Sequence, residues 1–179
     1  MPELRYGICL PAAGPAGDPR TLARAAHRAE AAGWDGVFLE DYLVHHTGPD
    51  VATYGPWICL AGMAVATERV RLGTCVTPLP PRRRPWKLAR EAMTLDHLSG
   101  GRALLGVGLG DLNDHGWSTF GEPSDDRERP AWWTRASPSS RDCAQGVVRR
   151  VARVDRICAY RLPEDDDWAD MTAGTLSET

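Results

Sequence analysis

The chain has 179 residues, a formal net charge of −3, and 42% hydrophobic against 25% charged residues. That balance fits a globular domain burying roughly 70% of its unfolded surface, and mild acidity gives no footing to a nucleic-acid partner. No apolar run approaches the ~20 residues that span a bilayer, and the opening MPELRYGICLP lacks the sections of a signal peptide, so a cytoplasmic protein with no membrane partner is expected.

Leu4 to Leu10 is a short apolar run stopped by Pro11, and reads as a strand. Asp18-Pro19 then opens a helix, with Asp as the N-cap and Pro in the first turn. Leu22, Ala25, Ala26, Ala29 and Ala32 make its apolar stripe, and Gly33 is its stop. Gly36 to Glu40 is the second strand, followed by Asp41, Tyr42 and a polar loop holding His45 and His46. Gly55-Pro56 opens a second helix, rich in Ile58, Leu60, Ala61, Ala64 and Val65, that ends near Thr67. Val70 to Thr77 is the third strand, halted by Pro78. After Arg82-Arg83-Arg84, Pro85 starts a third helix with Leu88, Ala92, Leu95 and Leu98 on one face, closed by Ser99-Gly100-Gly101. Ala103 to Gly110 is the fourth strand and its exit.

Strands alternating with helices over short loops imply a parallel sheet. A doubly wound sheet would carry its glycine-rich turn after the first strand. The turn PAAGPAGDP lacks that spacing, and Gly106-x-Gly108-x-Gly110 lacks the third glycine at the required offset. Strand–helix alternation suits a barrel equally well. A complete eight-fold barrel needs about 250 residues, so four strands in about 110 residues make half of one. The cysteines Cys9, Cys59, Cys75, Cys143 and Cys158 are scattered, without a CxxC pair, and read as reduced thiols. No Cys or carboxylate cluster supports a metal site beside His45 and His46. Trp34, Trp57 and Trp86 lie next to helix ends and read as core anchors.

Several motifs stand out along the chain: Gly7-Ile8-Cys9-Leu10-Pro11, Arg28-Ala29-Glu30-Ala31-Ala32-Gly33-Trp34-Asp35-Gly36, and Ala66-Thr67-Glu68-Arg69-Val70-Arg71-Leu72-Gly73-Thr74. They continue through Arg83-Arg84-Pro85-Trp86-Lys87-Leu88-Ala89-Arg90-Glu91, Leu98-Ser99-Gly100-Gly101-Arg102 and Gly106-Val107-Gly108-Leu109-Gly110. On these motifs the residues from about 4 to 129 resemble the luciferase-like flavin- or deazaflavin-dependent oxidoreductases. The resemblance implies a partial TIM (β/α)8 barrel of about four strands and three helices. It implies a monooxygenase or oxidoreductase acting on a small-molecule substrate, with FMN or a deazaflavin coenzyme over the carboxyl ends of the strands. Asp41 and Tyr42 stand where the family often has Asp-His, and are the candidate catalytic pair. Tyr, with an ordinary pKa near ~10, is a poor proton shuttle at neutral pH. Thr74, Cys75, Val76 and Thr77 match the segment that backs the ring, often with a bulge and a cis peptide. Gly106, Gly108, Leu109 and Gly110 are the other candidate cofactor contacts, although glycines there also suit close strand packing. Arg82-Arg83-Arg84 invites a phosphate reading, but a structural role fits a loop leading into a helix.

From Pro130 the pattern collapses. Between Ala131 and Thr179 only Val147, Val148, Val151, Val154, Ile157, Leu162 and Leu176 are branched aliphatics, roughly 14% of the segment and below the ~20% typical of disorder. Lys87 is the only lysine, which suggests a GC-rich gene. Tryptophan has a single codon, so Trp132-Trp133-Thr134 fixes Val and Asp in a shifted reading, and one permitted choice of the free codon positions continues it as an amphipathic helix. The expectation is a half-barrel over residues 1–129 and an irregular, frameshifted or disordered tail over residues 130–179. Half a barrel exposes a sheet edge and apolar helix faces. Weak or absent turnover is therefore expected, the alternatives being a non-catalytic flavin-binding module, as a homodimer that closes the sheet, or a non-functional fragment.

Overall fold

The computed structural model describes residues 4–45, 50–78, 82–108, 110–111 and 114–122. His46, Leu109 and everything from residue 123 onward, including the boundary expected at 129/130, lie outside the described residues.

Among the described residues the strands are β1 Gly7–Leu10, β2 Gly36–Leu39, β3 Arg71–Thr74, β4 Thr77–Pro78, β5 Ala103–Leu104 and β6 Val107–Gly108. The helices are α1 Pro19–Ala31, α2 Pro56–Ala66, α3 Pro85–Leu98 and the single turn α4 Gly116–Thr119. A parallel sheet runs in the order β1-β2-β3-β5, so each crossover helix lands its next strand beside the last. Gly7 pairs with Gly36, and Gly36 with Arg71. The expected alternation of four strands with three helices is present.

The helix starts follow from local chemistry. Asp18 Oδ1 accepts from the backbone N–H groups of Arg20 and Thr21, each at 3.0 Å, and Pro19 fills the first turn. Helices α2 and α3 also begin at proline. Gly100 and Gly101, at φ +67° and +87°, turn the chain out of α3 into β5.

Two expectations need correction. The third strand is not continuous to Thr77. It breaks at the Cys75–Val76 peptide, which is cis, and the break has a plain cause in pairing. Cys75 N–H still donates to Leu39 O of β2, whereas Thr77 N–H donates to Gly106 O. The chain has changed partners, and β4 pairs with β6 in a separate two-stranded ladder. Trp86, expected as a core anchor, is 54% exposed. The buried face of α3 carries Leu88, Ala89, Ala92 and Leu95, and Trp86 lies off that stripe. On α2, Ile58 and Val65 likewise point outward, while Leu60, Met63 and Ala64 face the sheet.

The core lies between the sheet and the helices. Ile8, Leu10, Val37, Leu39 and Leu72 point to that side, against Leu22, Ala26, Leu60, Met63, Leu88 and Leu95. The other face of the sheet carries Cys9, Phe38 and Leu104. A Cβ on Gly7 or Gly36 would meet the Phe38 ring at 2.6 or 2.8 Å, so that ring lies across both glycines.

The amino ends of the strands are tied by polar side chains from the motifs that carry the family resemblance. Glu30, at the end of α1, accepts from the N–H groups of Glu68, Arg69 and Val70 just before β3. Arg102 donates to Thr67 Oγ1, Thr67 O, Val70 O, Ala64 O and Ser99 O at 2.7–2.9 Å, using all of its guanidinium N–H groups. Asp35 accepts from Tyr6 N–H at 2.8 Å.

Candidate functional site

At the opposite, carboxyl ends of the strands lies a cleft of about 200 Å³. Three segments build it. Glu40, Asp41 and Tyr42 leave β2. Cys75, Val76 and Pro78 come from the β3–β4 break and β4. Gly110, Asp111 and Asp114 follow β6. In a barrel this is the face where loops after the strands carry chemistry.

The structure brings five of the sequence-predicted residues together here: Asp41, Tyr42, Cys75, Val76 and Gly110. Thr74, Thr77, Gly106 and Gly108 do not line the cleft, and Leu109 lies outside the described residues. The two threonines are buried, and their hydroxyls are engaged within the fold. Trp57 Nε1 donates to Thr77 Oγ1 (3.2 Å), which donates to Thr74 Oγ1 (2.9 Å), which donates to Gly106 O (3.1 Å). Gly106 is required by strand approach, since a Cβ there would sit 2.2 Å from Thr74 O. At Gly110, φ is +86° and a Cβ would meet the Trp117 indole at 2.4 Å.

The cleft walls are held by charge. Arg83 Nη2 donates to both carboxylate oxygens of Asp41 at 2.9 Å, and the Asp41 side chain is 2% exposed. Arg82 Nη1 donates to Asp114 Oδ2 at 2.7 Å, and both side chains are almost wholly buried. The Arg82 guanidinium also lies 4.1 Å from the centre of the Trp117 ring, a cation–π contact. These two arginines therefore shape the cleft wall, as the structural reading of the arginine run expects. Among the described residues, Arg82 Nη2 and Arg83 Nε are buried without a hydrogen-bond partner.

Tyr42 donates its hydroxyl to Asp111 Oδ2 at 2.5 Å. Burial, then the Asp111 hydrogen bond and charge, push its phenol well above the ordinary tyrosine range. It remains a hydrogen-bond donor at any physiological pH. The His45 ring packs edge-on to Tyr42, with centroids 5.7 Å apart. Cys75 is half-buried in the cleft lining and packs against the cluster of Cys9, Phe38 and Leu104. The neighbouring Cys9 thiol lowers the Cys75 thiol, although burial and Glu40 push it upward. Cys75 and burial in turn raise Cys9.

Asp111 and Asp114 are site residues that sequence reading passed over. Their signal was position alone: acidic residues directly after the fourth strand, at the end of a barrel where sites form. Among the described residues no cluster of His, Cys, Asp and Glu could hold a metal ion, and no helix is long and apolar enough to cross a membrane.

Residues 4–131 match the luciferase-like monooxygenase family. The chain belongs to that family. It is 42% identical over 95 residues to an F420-dependent glucose-6-phosphate dehydrogenase of Beutenbergia cavernae, covering 52% of this chain and 28% of that protein. It is 34% identical over 134 residues to 4-hydroxyprotoasukamycin monooxygenase of Streptomyces nodosus subsp. asukaensis, covering 73% of this chain and 36% of that one. Among solved structures it resembles the coenzyme F420-dependent tetrahydromethanopterin reductase of Methanopyrus kandleri at 31% identity and TM-score 0.56, covering 68% of this chain and 31% of that one. The chain thus spans roughly a third of the length of these luciferase-like relatives. Its four-stranded parallel sheet corresponds to part of their barrel.

Proposed function

We propose that this chain supplies the first part of a flavin- or deazaflavin-dependent oxidoreductase site, and that its cleft takes one side of the cofactor ring. The observation that carries the reading is the cleft itself, at the carboxyl ends of consecutive parallel strands in a luciferase-like chain. The lining fits a flat, partly apolar ring. Val76 and Pro78 give an apolar wall, Gly110 adds no side chain, and Tyr42 and Cys75 stand at the polar side. No basic side chain lines the cleft among the described residues, so the phosphate-bearing part of FMN or F420 would be held by loops outside it. When bound, such a cofactor supplies hydride chemistry that protein side chains lack.

What the residues on this chain do is position and exclude. Asp41 is committed to Arg83, and Tyr42 keeps its proton and donates to Asp111. Neither is placed to shuttle a proton at neutral pH. That observation favours ring binding with weak turnover by this chain alone, the whole enzyme's activity and substrate depending on further barrel strands. Titrating the chain with FMN and with F420 while following cofactor fluorescence tests this. Saturable quenching by at least one of them is expected, with NADPH oxidation or reduced-F420 consumption far below ordinary enzyme rates. Absence of saturable binding of either cofactor would overturn the reading.

A further inference from the structure

We propose that Thr77 and Trp57 are positioning residues of the cleft, joined in a one-way chain of buried hydrogen bonds that fixes the Val76 wall for the cofactor ring. The role toward the ring rests on the cofactor reading, whereas the wall rests on the hydrogen bonds alone.

The chain of bonds runs from α2 to the segment after β5. Trp57 Nε1 donates to Thr77 Oγ1 at 3.2 Å, Thr77 Oγ1 to Thr74 Oγ1 at 2.9 Å, and Thr74 Oγ1 to Gly106 O at 3.1 Å. Both threonines are buried, at 1% exposure or less, and Trp57 is 8% exposed. An indole N–H can only donate and a carbonyl can only accept, so the two ends fix the sense of the middle. Reversing the Thr77–Thr74 bond would leave Thr74 Oγ1 and Gly106 O facing each other without a proton between them. Neither hydroxyl therefore has a proton to offer a ligand. The threonines act on the cleft only through what they hold.

What they hold is the pair of cleft residues between them. Cys75 and Val76 span the step from β3 to β4, where Thr74 still belongs to the four-stranded sheet and Thr77 to the second ladder. Gly106 O accepts from Thr77 N–H at 2.8 Å as well as from the Thr74 hydroxyl, so one carbonyl anchors both ends of the step. Val76 is seated on neighbouring glycines: a Cβ on Gly108 would meet its Cγ2 at 2.7 Å, and one on Gly106 its Cγ1 at 3.5 Å. The glycines support the wall, and the hydroxyls hold its two ends. Trp57, in the first turn of α2, also packs in the core between sheet and helices, so the wall is tied to a rigid part of the fold.

Two substitutions at one position separate this role from simple packing. Thr77→Val keeps the branched shape, removes the link, and leaves the buried Trp57 N–H without its acceptor. Thr77→Ser keeps the link and loses one methyl group. A side chain that merely filled space would rank these variants the other way, since valine gains more from burial than serine.

NMR hydrogen exchange on the isotopically labelled full chain tests the wall without any cofactor. In Thr77→Val the Trp57 indole N–H and the backbone N–H groups of Val76 and residue 77 should exchange at least about tenfold faster than in wild type. The Leu72 N–H, bonded to Arg102 O on the same strand as Thr74, should change less than about twofold, and Thr77→Ser should resemble wild type throughout. Titration with FMN and F420 then tests the ring: Thr77→Val should weaken binding about five- to tenfold, and Thr77→Ser less than about twofold. Unchanged exchange at Val76 and residue 77 in Thr77→Val, or an equal rise at Leu72, would overturn the wall. A loosened wall with unchanged affinity would overturn the role toward the ring. Wild type that binds neither cofactor would sink the cofactor reading and that role with it, while exchange still decides the wall. If Thr77→Val does not fold by circular dichroism, Trp57→Phe, which removes only the first donor, is read by the same two amides.

Discussion

At the amino end of the sheet, polar side chains are spent mainly on backbone groups; at the carboxyl end charged side chains also pair with one another. Arg102 and Glu30 satisfy carbonyls and amides left over where α2 ends and β3 begins. They join segments. Arg82, Arg83, Asp41, Asp114, Tyr42 and Asp111 form side-chain pairs around open space. Backbone acceptors have fixed positions, so the amino-end contacts specify a topology. Side-chain pairs can be rebuilt around different ligands without moving a strand, which is how one barrel serves many chemistries.

Breaking the carboxyl end should show the largest effect. Arg82→Leu removes the ion-pair partner of Asp114, whose side chain is 2% exposed and among the described residues keeps only the N–H groups of Gly116, Leu43 and Val44, and also the cation–π contact to Trp117. Leaving a buried carboxylate unpaired costs about 3–5 kcal/mol. Urea unfolding followed by tryptophan fluorescence should register a loss of that size. The double variant Arg82→Leu with Asp114→Leu should regain most of it, since the unpaired charge is then gone. A double variant no more stable than the single one would show that Arg82 matters by packing instead.

The matching change at the amino end is Arg102→Ala. It leaves the carbonyls of Ala64, Thr67, Val70 and Ser99 without this donor. Several charge-assisted hydrogen bonds are lost together, but water reaches the partly buried site, so about 3 kcal/mol is expected. The sharper expectation is qualitative. Arg102→Ala should lower stability while leaving cofactor affinity of the folded fraction unchanged. Arg82→Leu should weaken that affinity, because Asp114 lines the cleft. If Arg102→Ala shifted cofactor affinity, the two ends would not be separable.

A milder test stays inside the cleft. Tyr42→Phe keeps the ring against His45 and removes only the donor to Asp111. The cost in stability is about 1.5 kcal/mol, at the lower end for a hydrogen bond to a charged group. Cofactor binding should weaken more than stability suggests, since Asp111 then faces the cleft without its donor.

The same division explains what could be read from the sequence. The helix starts at Pro19, Pro56 and Pro85 are local signals, and so were legible. The amino-end fasteners Glu30 and Arg102 sit inside the motifs that carried the family resemblance, although their partners did not show. The break after Thr74 showed only through the family resemblance, which implied a bulge and a cis peptide there, because an exchange of hydrogen-bond partners between strands leaves no composition mark. The exposure of Ile58 and Val65 was hidden for a related reason: α2 is apolar all round, so periodicity cannot say which side meets the sheet. In the cleft, Asp41 and Tyr42 were legible as the end of a strand. Asp111 meets Tyr42 across 69 residues of chain, a pairing that only the sheet order creates.

The smallest expected effect completes the comparison at the amino end, through pH. Burial alone would raise the Glu30 carboxyl, but hydrogen bonds from the N–H groups of Glu68, Val70 and Arg69 prevail and lower it. A carboxyl held lower in the folded than in the unfolded chain binds fewer protons when folded. Its contribution to stability is therefore complete above the ordinary glutamate value of about 4.3 and is lost as pH falls through the depressed folded value. Glu30→Gln keeps one acceptor oxygen and loses the charge. Because the site is partly open to solvent, the cost at pH 7 should be about 0.5–1 kcal/mol, like the loss of a helix cap. Urea midpoints measured from pH 7 downward should then show wild type and Glu30→Gln converging as pH falls below the ordinary glutamate value of about 4.3. Parallel curves over that range would mean that the Glu30 carbon chain, and not its carboxylate, ties α1 to β3. The corresponding pH series on Tyr42→Phe should show no such convergence with wild type from any tyrosine titration, because Tyr42 holds its proton throughout.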